Sequence, residues 1–94
     1  MTQLRVLAFD ETGDRRVPYL LEESDLVEWK RQGATGFQWG RVDFLRTDQV
    51  PRPIRIMPLA ADRSSYGGRA RWISSFALMH VYDSKGVRKR NLPE

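Results

Sequence analysis

The chain has 94 residues, of which 40% are hydrophobic and 30% charged, and its formal net charge is +4. This size and balance are typical of one folded domain and exclude a disordered chain. There is no cysteine, which excludes disulfides, thiolate metal sites and cysteine nucleophiles. No apolar run is long enough for a signal peptide core or a membrane span, so we expect a cytoplasmic protein without a membrane partner.

A β-hairpin is the first predicted element. Residues 3–9 and 16–21 are apolar-rich segments on either side of a turn that contains Asp10 and Gly13. Aspartate favours the first position of a type I turn, and glycine favours the left-handed position that closes a hairpin. Pro18 has no backbone N–H, so we expect its strand to lie at an edge.

A short α-helix is predicted next, over residues 22–31. Asp25 and Glu28 have the spacing of a capping box, and basic residues follow at the other end, which complements the helix dipole. Leu26 and Trp29 are three residues apart, so a helix would place both on its buried side.

Strand-type alternation begins at Gly36. Over residues 37–44 apolar side chains alternate with polar ones, and a shift of phase at Gly40 predicts a β-bulge. Residues 54–57 form another short apolar segment bracketed by prolines, which predicts a further strand. The glycine- and serine-rich segment 61–69 is predicted to be a mobile loop.

A second hairpin is predicted at the end of the chain, with residues 71–82 paired to residues 87–92. Residues 71–82 carry apolar side chains on both alternating faces, as in a central strand. The order ββ-α-β-β-ββ predicts an α+β fold, in which a small, strongly curved antiparallel sheet of about five to six strands packs with one short helix. The alternative is a small, partly open β-barrel.

Few residues offer catalytic or metal-binding chemistry. His80 is the only histidine and lies in an apolar alternation, so we interpret it as a core residue that is hydrogen-bonded to the backbone. The segment 66–69 contains two glycines but lacks the phosphate-binding loop pattern. We therefore expect no enzyme activity, no catalytic residue, no metal and no cofactor.

Positive charge is concentrated in the C-terminal third. Residues 1–62 contain nine lysines and arginines against ten acids, whereas residues 63–94 contain seven against two. Arginine binds phosphate through paired hydrogen bonds, and exposed aromatic rings stack on unpaired bases. The candidate binding residues are Arg63, Tyr66, Arg69, Arg71, Lys85, Arg88, Lys89 and Arg90. Alternatively, residues 87–92 form a charged edge strand, whose lysine and arginines protect the edge of the sheet from aggregation.

These features predict a small non-enzymatic protein that binds nucleic acid through its basic C-terminal third. The alternative is a protein-interaction module, whose arginines would contact an acidic protein surface. An inhibitor or adaptor encoded by a phage or plasmid would be of this kind.

Overall fold

The computed structural model describes residues 2–31, 33–60 and 66–93, which form two antiparallel sheets. The first sheet is a hairpin of β1 (Gln3–Phe9) and β2 (Arg16–Glu22), as predicted. In its turn, the Asp10 carboxylate accepts a hydrogen bond from the N–H of Gly13, whose φ is 74°. A positive φ favours glycine because a Cβ would be crowded in that conformation.

The second sheet has five strands in the order β6–β5–β4–β3–β7. The strands are β3 (Leu26–Trp29), β4 (Gln38–Leu45), β5 (Ile54–Leu59), β6 (Arg71–Ile73) and β7 (Leu78–Tyr82). The two strands predicted between residues 37 and 57 are confirmed as β4 and β5. Their bulge lies between Val42 and Phe44 rather than at Gly40.

The predicted α-helix over residues 22–31 is wrong. Within the described residues, the one helical element is a 3₁₀ turn at Ser75–Ala77. Residues 26–29 instead form β3, which pairs with β4 on one side and β7 on the other. These ladders bond the backbone on both sides of β3, whereas a helix of two turns is marginal on its own. The described part of the chain also holds no helix with the length and apolar character to span a bilayer.

The residues that suggested a helix cap belong to a tight turn. The Asp25 carboxylate accepts a hydrogen bond at 2.8 Å from the N–H of Glu22, three residues earlier in the chain. Ser24 has a φ of 78°, a left-handed conformation that a continuing right-handed helix does not contain. The predicted α+β class is therefore corrected to a nearly all-β fold.

The predicted long strand 71–82 is also wrong, because it is divided between β6 and β7 at opposite edges of the sheet. The predicted turn after it does form, with Gly86 at a φ of 85° and its N–H donating to the carbonyl of Asp83. Residues 87–92, however, pair with β7 through the single bridge Tyr82–Arg88 within the described residues. Two sheets thus replace the predicted single curved sheet and its partly open barrel alternative.

The hydrophobic core lies between the hairpin and the inner face of the five-stranded sheet. It comprises Val6, Ala8, Val17, Tyr19, Leu21, Val27, Trp29, Val42, Leu45, Ile54, Ile56, Ile73, Leu78 and Val81. Each valine, leucine and isoleucine among them contributes about 1.5–3 kcal/mol when it is fully buried. Since side chains alternate along a strand, the other half of the sheet's residues point to its outer face.

Candidate functional site

The outer face of the five-stranded sheet carries two pairs of aromatic rings. Phe44 and Trp72 meet edge-on with their ring centroids 6.1 Å apart, and Trp39 and Tyr82 are tilted at 5.4 Å. The first pair lies toward β6 and the second toward β7, because Trp72 and Tyr82 belong to those edge strands. The two pairs have different surroundings.

Arginines surround the Phe44–Trp72 pair. The guanidinium carbon of Arg46 lies 4.1 Å from the Trp72 ring centroid, within the range of a cation–π contact. Arg55 lies 5.4 Å from the Phe44 ring and 5.6 Å from the Trp72 ring. Its guanidinium is fixed by the Asp43 carboxylate at 2.8 Å. This end of the outer face therefore combines aromatic surface with positive charge.

A carboxylate lies beside the Trp39–Tyr82 pair. The Tyr82 hydroxyl donates a hydrogen bond to Glu28 at 2.6 Å, and burial together with this bond raises the pKa of Tyr82 to about 12. The Nδ1 of His80 lies 3.6 Å from the same carboxylate and makes no hydrogen bond in the described structure, so the expected backbone bond is not made at this atom. Because Glu28 is part of it, this pair is less suited to a polyanion than the first.

A cavity of about 460 Å³ opens between the end of β3 and the start of β6. Trp29, Trp72 and Ile73 supply apolar lining. Four basic side chains line it as well: Lys30, Arg31, Arg52 and Arg71. Lys30 and Arg31 directly follow β3, and the N–H of Lys30 donates to the carbonyl of Ala77 at 2.9 Å. The end of a central strand thus presents two of the four cations.

Two neighbouring cavities extend this one into a trench. A cavity of about 390 Å³ shares Lys30, Arg31 and Ser74 with it. On the other side, a cavity of about 480 Å³ shares Arg52 and Trp72 and adds Arg46. The cationic trench is defined here by Lys30, Arg31, Arg46, Arg52, Arg71 and Trp72.

The loop between β4 and β5 brings two of these arginines to the trench. Arg46 follows β4 and Arg52 precedes β5, and the N–H of Arg46 donates to the carbonyl of Pro53 at 2.8 Å. This bond continues the pairing of the two strands past their ends and closes the loop. Both arginines are exposed, so the loop presents their guanidinium groups to solvent.

The electrostatics of the trench differ from those of the other cavities. Within residues 2–31, 33–60 and 66–93, no acidic side chain lines any of the three trench cavities. Two further cavities each include two acids, Glu23 with Asp43 in one and Asp10 with Glu11 in the other. Cations clustered along cavities whose described lining contains no acidic side chain produce a positive potential that attracts anions.

The structure distributes the predicted binding residues over several places. Arg71 lines the cationic trench. Tyr66 is 63% exposed and lines the cavity that contains Glu23 and Asp43. Arg69, Lys85 and Arg90 are exposed at the surface. Arg63 lies outside the described residues.

Arg88 and Lys89 make internal contacts. The Arg88 guanidinium donates to the carbonyl of Asp10 at 2.9 Å. The Lys89 ammonium donates to the Asp25 carboxylate and to the carbonyl of Leu20, both at 2.6 Å, and its side chain is only 14% exposed. These two cations attach the C-terminal segment to the hairpin and to the turn before β3.

Sequence reasoning missed most of the trench, namely Lys30, Arg31, Arg46, Arg52 and Trp72. A charge count over a narrower window contains the signal, because residues 30–60 hold six lysines and arginines against two acids. The count over residues 1–62 concealed this excess by including the acids of the first hairpin and of the turn before β3. Trp72 was assigned to a central strand, whereas β6 is an edge strand.

Comparison of the chain with protein-family models, curated proteins and solved structures found no match. Among the described residues, no three histidine, aspartate or glutamate side chains converge as a metal site would require. Function is therefore inferred from the charge and geometry of the surface.

Proposed function

We propose that this chain is a non-enzymatic binding protein that contacts nucleic acid through the cationic trench. The observation that carries the proposal is the grouping of five cations along three joined cavities, with no acidic side chain among their described lining residues. Phosphate contacts with lysine and arginine supply most of the affinity in nonspecific nucleic-acid binding.

The residue types in the trench support this proposal. Four of its five cations are arginines, whose planar guanidinium can donate two hydrogen bonds to one phosphate. Trp72 lies among them, and channels for nucleic acid combine a basic path for the backbone with aromatic rings for the bases. We also propose a cytoplasmic location, because the chain has no cysteine and small secreted domains commonly depend on disulfides.

The C-terminal basic run is a weaker choice of surface for the same function. Lys89 is occupied by Asp25, and the cavity beside Arg88 and Arg90 includes Asp10 and Glu11. Neighbouring carboxylates reduce the net attraction for phosphate. An acidic protein face remains the alternative partner for both surfaces.

Charge reversal at the two surfaces tests the proposal. We expect Arg52→Glu with Arg71→Glu to weaken oligonucleotide binding by about tenfold or more, because each substitution replaces an attraction to phosphate by a repulsion. Lys85→Glu with Arg90→Glu is the matched control, since each pair lowers the formal net charge from +4 to zero and all four side chains are exposed. We expect the control pair to change binding by less than about threefold.

Binding is measured by fluorescence polarisation at about 50 mM salt with labelled oligonucleotides of about ten nucleotides. Circular dichroism verifies that both double variants are folded. Equal weakening by the two pairs, or weakening by the control pair alone, would contradict the trench as the binding surface. A partner that is captured from lysate and survives nuclease treatment, together with no oligonucleotide binding, would favour the protein-interaction alternative.

A further inference from the structure

We propose that the trench selects single-stranded over duplex nucleic acid by stacking an unpaired base on Trp72, an inference that rests on the proposed function. Trp72 borders both the cavity of about 460 Å³ and the cavity of about 480 Å³. A nucleotide in either cavity would therefore contact this ring. The remaining cations then lie on both sides of the stacked base, where the phosphates of the same strand would pass.

The sizes of the two cavities favour a single strand. Each lies in the range of about 300–1,000 Å³ that holds one small ligand, which suits a single nucleotide and not the width of a duplex. In a duplex the faces of the bases are covered by their neighbours, so a protein ring reaches them only where bases are unpaired. Unpaired bases can turn outward and stack on aromatic side chains.

The Trp72 ring is held in place before any ligand binds. β6 pairs with β5, and this pairing places Trp72 opposite Arg55. Trp72 and Phe44 pack in a T-shaped arrangement, and the guanidinium carbon of Arg46 lies 4.1 Å from the Trp72 ring centroid. Because Arg46 covers one face of the ring, a base would stack on the opposite face, and a ring fixed in this way loses little conformational freedom on binding.

The other tryptophans of the chain have different surroundings. A change in the fluorescence of Trp72 can therefore be separated from changes in theirs. Trp29 belongs to the core and is 2% exposed. Trp39 pairs with Tyr82 toward the opposite edge of the sheet. Trp29 also lines the cavity of about 460 Å³, but its burial leaves no ring face for a base, so among the three tryptophans Trp72 is the one that a base can stack on in the trench.

The test compares single-stranded and duplex oligonucleotides, as DNA and as RNA, on the wild type and on two Trp72 variants. Trp72→Leu keeps apolar bulk but removes the ring, and we expect it to weaken single-strand binding by about tenfold and duplex binding by less than about twofold. Trp72→Phe keeps an aromatic face and should restore most of the lost affinity. If Trp72→Leu does not fold, Trp72→Phe still provides the fluorescence readout.

Tryptophan fluorescence gives this second readout. Addition of a single strand should quench the emission of the wild type, because a base stacked on Trp72 quenches that indole. The same addition should leave the emission of Trp72→Phe nearly unchanged.

The results separate the inference from the function on which it rests. If single strands and duplexes bind equally well and the Trp72 variants bind like the wild type, the inference is overturned while the proposed function stands. The inference is also overturned if quenching persists in Trp72→Phe. If no oligonucleotide of either form binds to the wild type, both the proposed function and the inference fail.

Discussion

Lys89 belongs to a basic run in the sequence but forms a buried ion pair in the structure. The sequence places it in the middle of a basic run, yet its ammonium is bonded to Asp25, which is 4% exposed, and to the Leu20 carbonyl. Burial raises the pKa of Asp25, while the bond from Lys89 opposes this effect. A buried charge pair of this kind is strongly destabilising to break, because one charge then remains buried without a partner.

We expect Lys89→Ala to lower the free energy of unfolding by about 3 kcal/mol at pH 7, measured by urea denaturation. The raised pKa of Asp25 means that the folded state holds a proton that the unfolded chain releases near the ordinary value of 3.8. The stability that this raised pKa gives to the folded state is therefore fully present below pH 3.8. It is lost as the pH rises through the pKa of Asp25 in the folded state. Without Lys89 the pKa of Asp25 in the folded state rises further. The loss of unfolding free energy caused by Lys89→Ala should therefore be smaller at low pH, where Asp25 is protonated, than at pH 7.

Arg90→Ala is the control for that measurement, because Arg90 is exposed and adjacent in the run. We expect its effect to stay within about 0.5 kcal/mol. Equal losses for the two variants, or a loss for Lys89→Ala that does not depend on pH, would contradict the buried pair.

At the scale of elements, β3 shows that local sequence preference can be overridden. Residues 22–31 contain acids, then an apolar spacing of three, then cations, all of which favour a helix. The structure pairs residues 26–29 with strands on both sides, and it packs Val27 and Trp29 into the core. Trp29 also requires space from the neighbouring strand, which Gly40 provides.

Gly40→Ala tests this fit between β3 and β4. A Cβ at this position would lie 3.1 Å from Nε1 of Trp29 and 3.2 Å from Cδ1 of Ile56, closer than side chains normally approach. We expect the free energy of unfolding to fall by about 1–3 kcal/mol, since the core must shift to admit the methyl group. Urea denaturation followed by tryptophan emission measures the change.

Gly36→Ala is the matched control, because a Cβ there meets nothing within 4 Å. It should be neutral or slightly stabilising, since alanine restricts the unfolded chain more than glycine does. A Gly40→Ala variant as stable as this control would show that the indole does not need the space.

At the scale of the whole molecule, the strand order decides where the charges meet. The order β6–β5–β4–β3–β7 brings Lys30 and Arg31, at the end of β3, to the same cavity as Arg52 and Arg71. These residues are separated by up to about forty positions in the chain, so their convergence depends on the folded sheet. The same order leaves the basic run at the end of the chain beside the acids of the first turn.

Salt dependence measures how many of the trench cations contact phosphate. Each neutralised phosphate of a single strand contributes about −0.7 to the slope of log K against log salt, so five cations limit the slope to about −3.5. Arg52→Gln with Arg71→Gln should make the slope less steep by about 1.4, because two of the contacts are lost. Polarisation titrations between about 50 mM and 200 mM salt give both slopes, and a slope that the variant leaves unchanged would contradict these contacts.

The sequence by itself determined the features that depend on neighbouring residues. The first hairpin, its Asp10–Gly13 turn and the strands β4 and β5 were predictable, because turn chemistry and alternation act over a few positions. The turn that ends at Gly86 was predictable for the same reason.

Only the tertiary structure decided the rest. β3 is a strand because β4 and β7 bond it on both sides, and its cap-like acids form a turn that Lys89 joins from the end of the chain. The candidate site likewise exists only once the folded sheet brings distant cations and Trp72 to adjoining cavities. Long-range pairing and burial can outweigh the small differences in local preference, which amount to less than about 1 kcal/mol per residue.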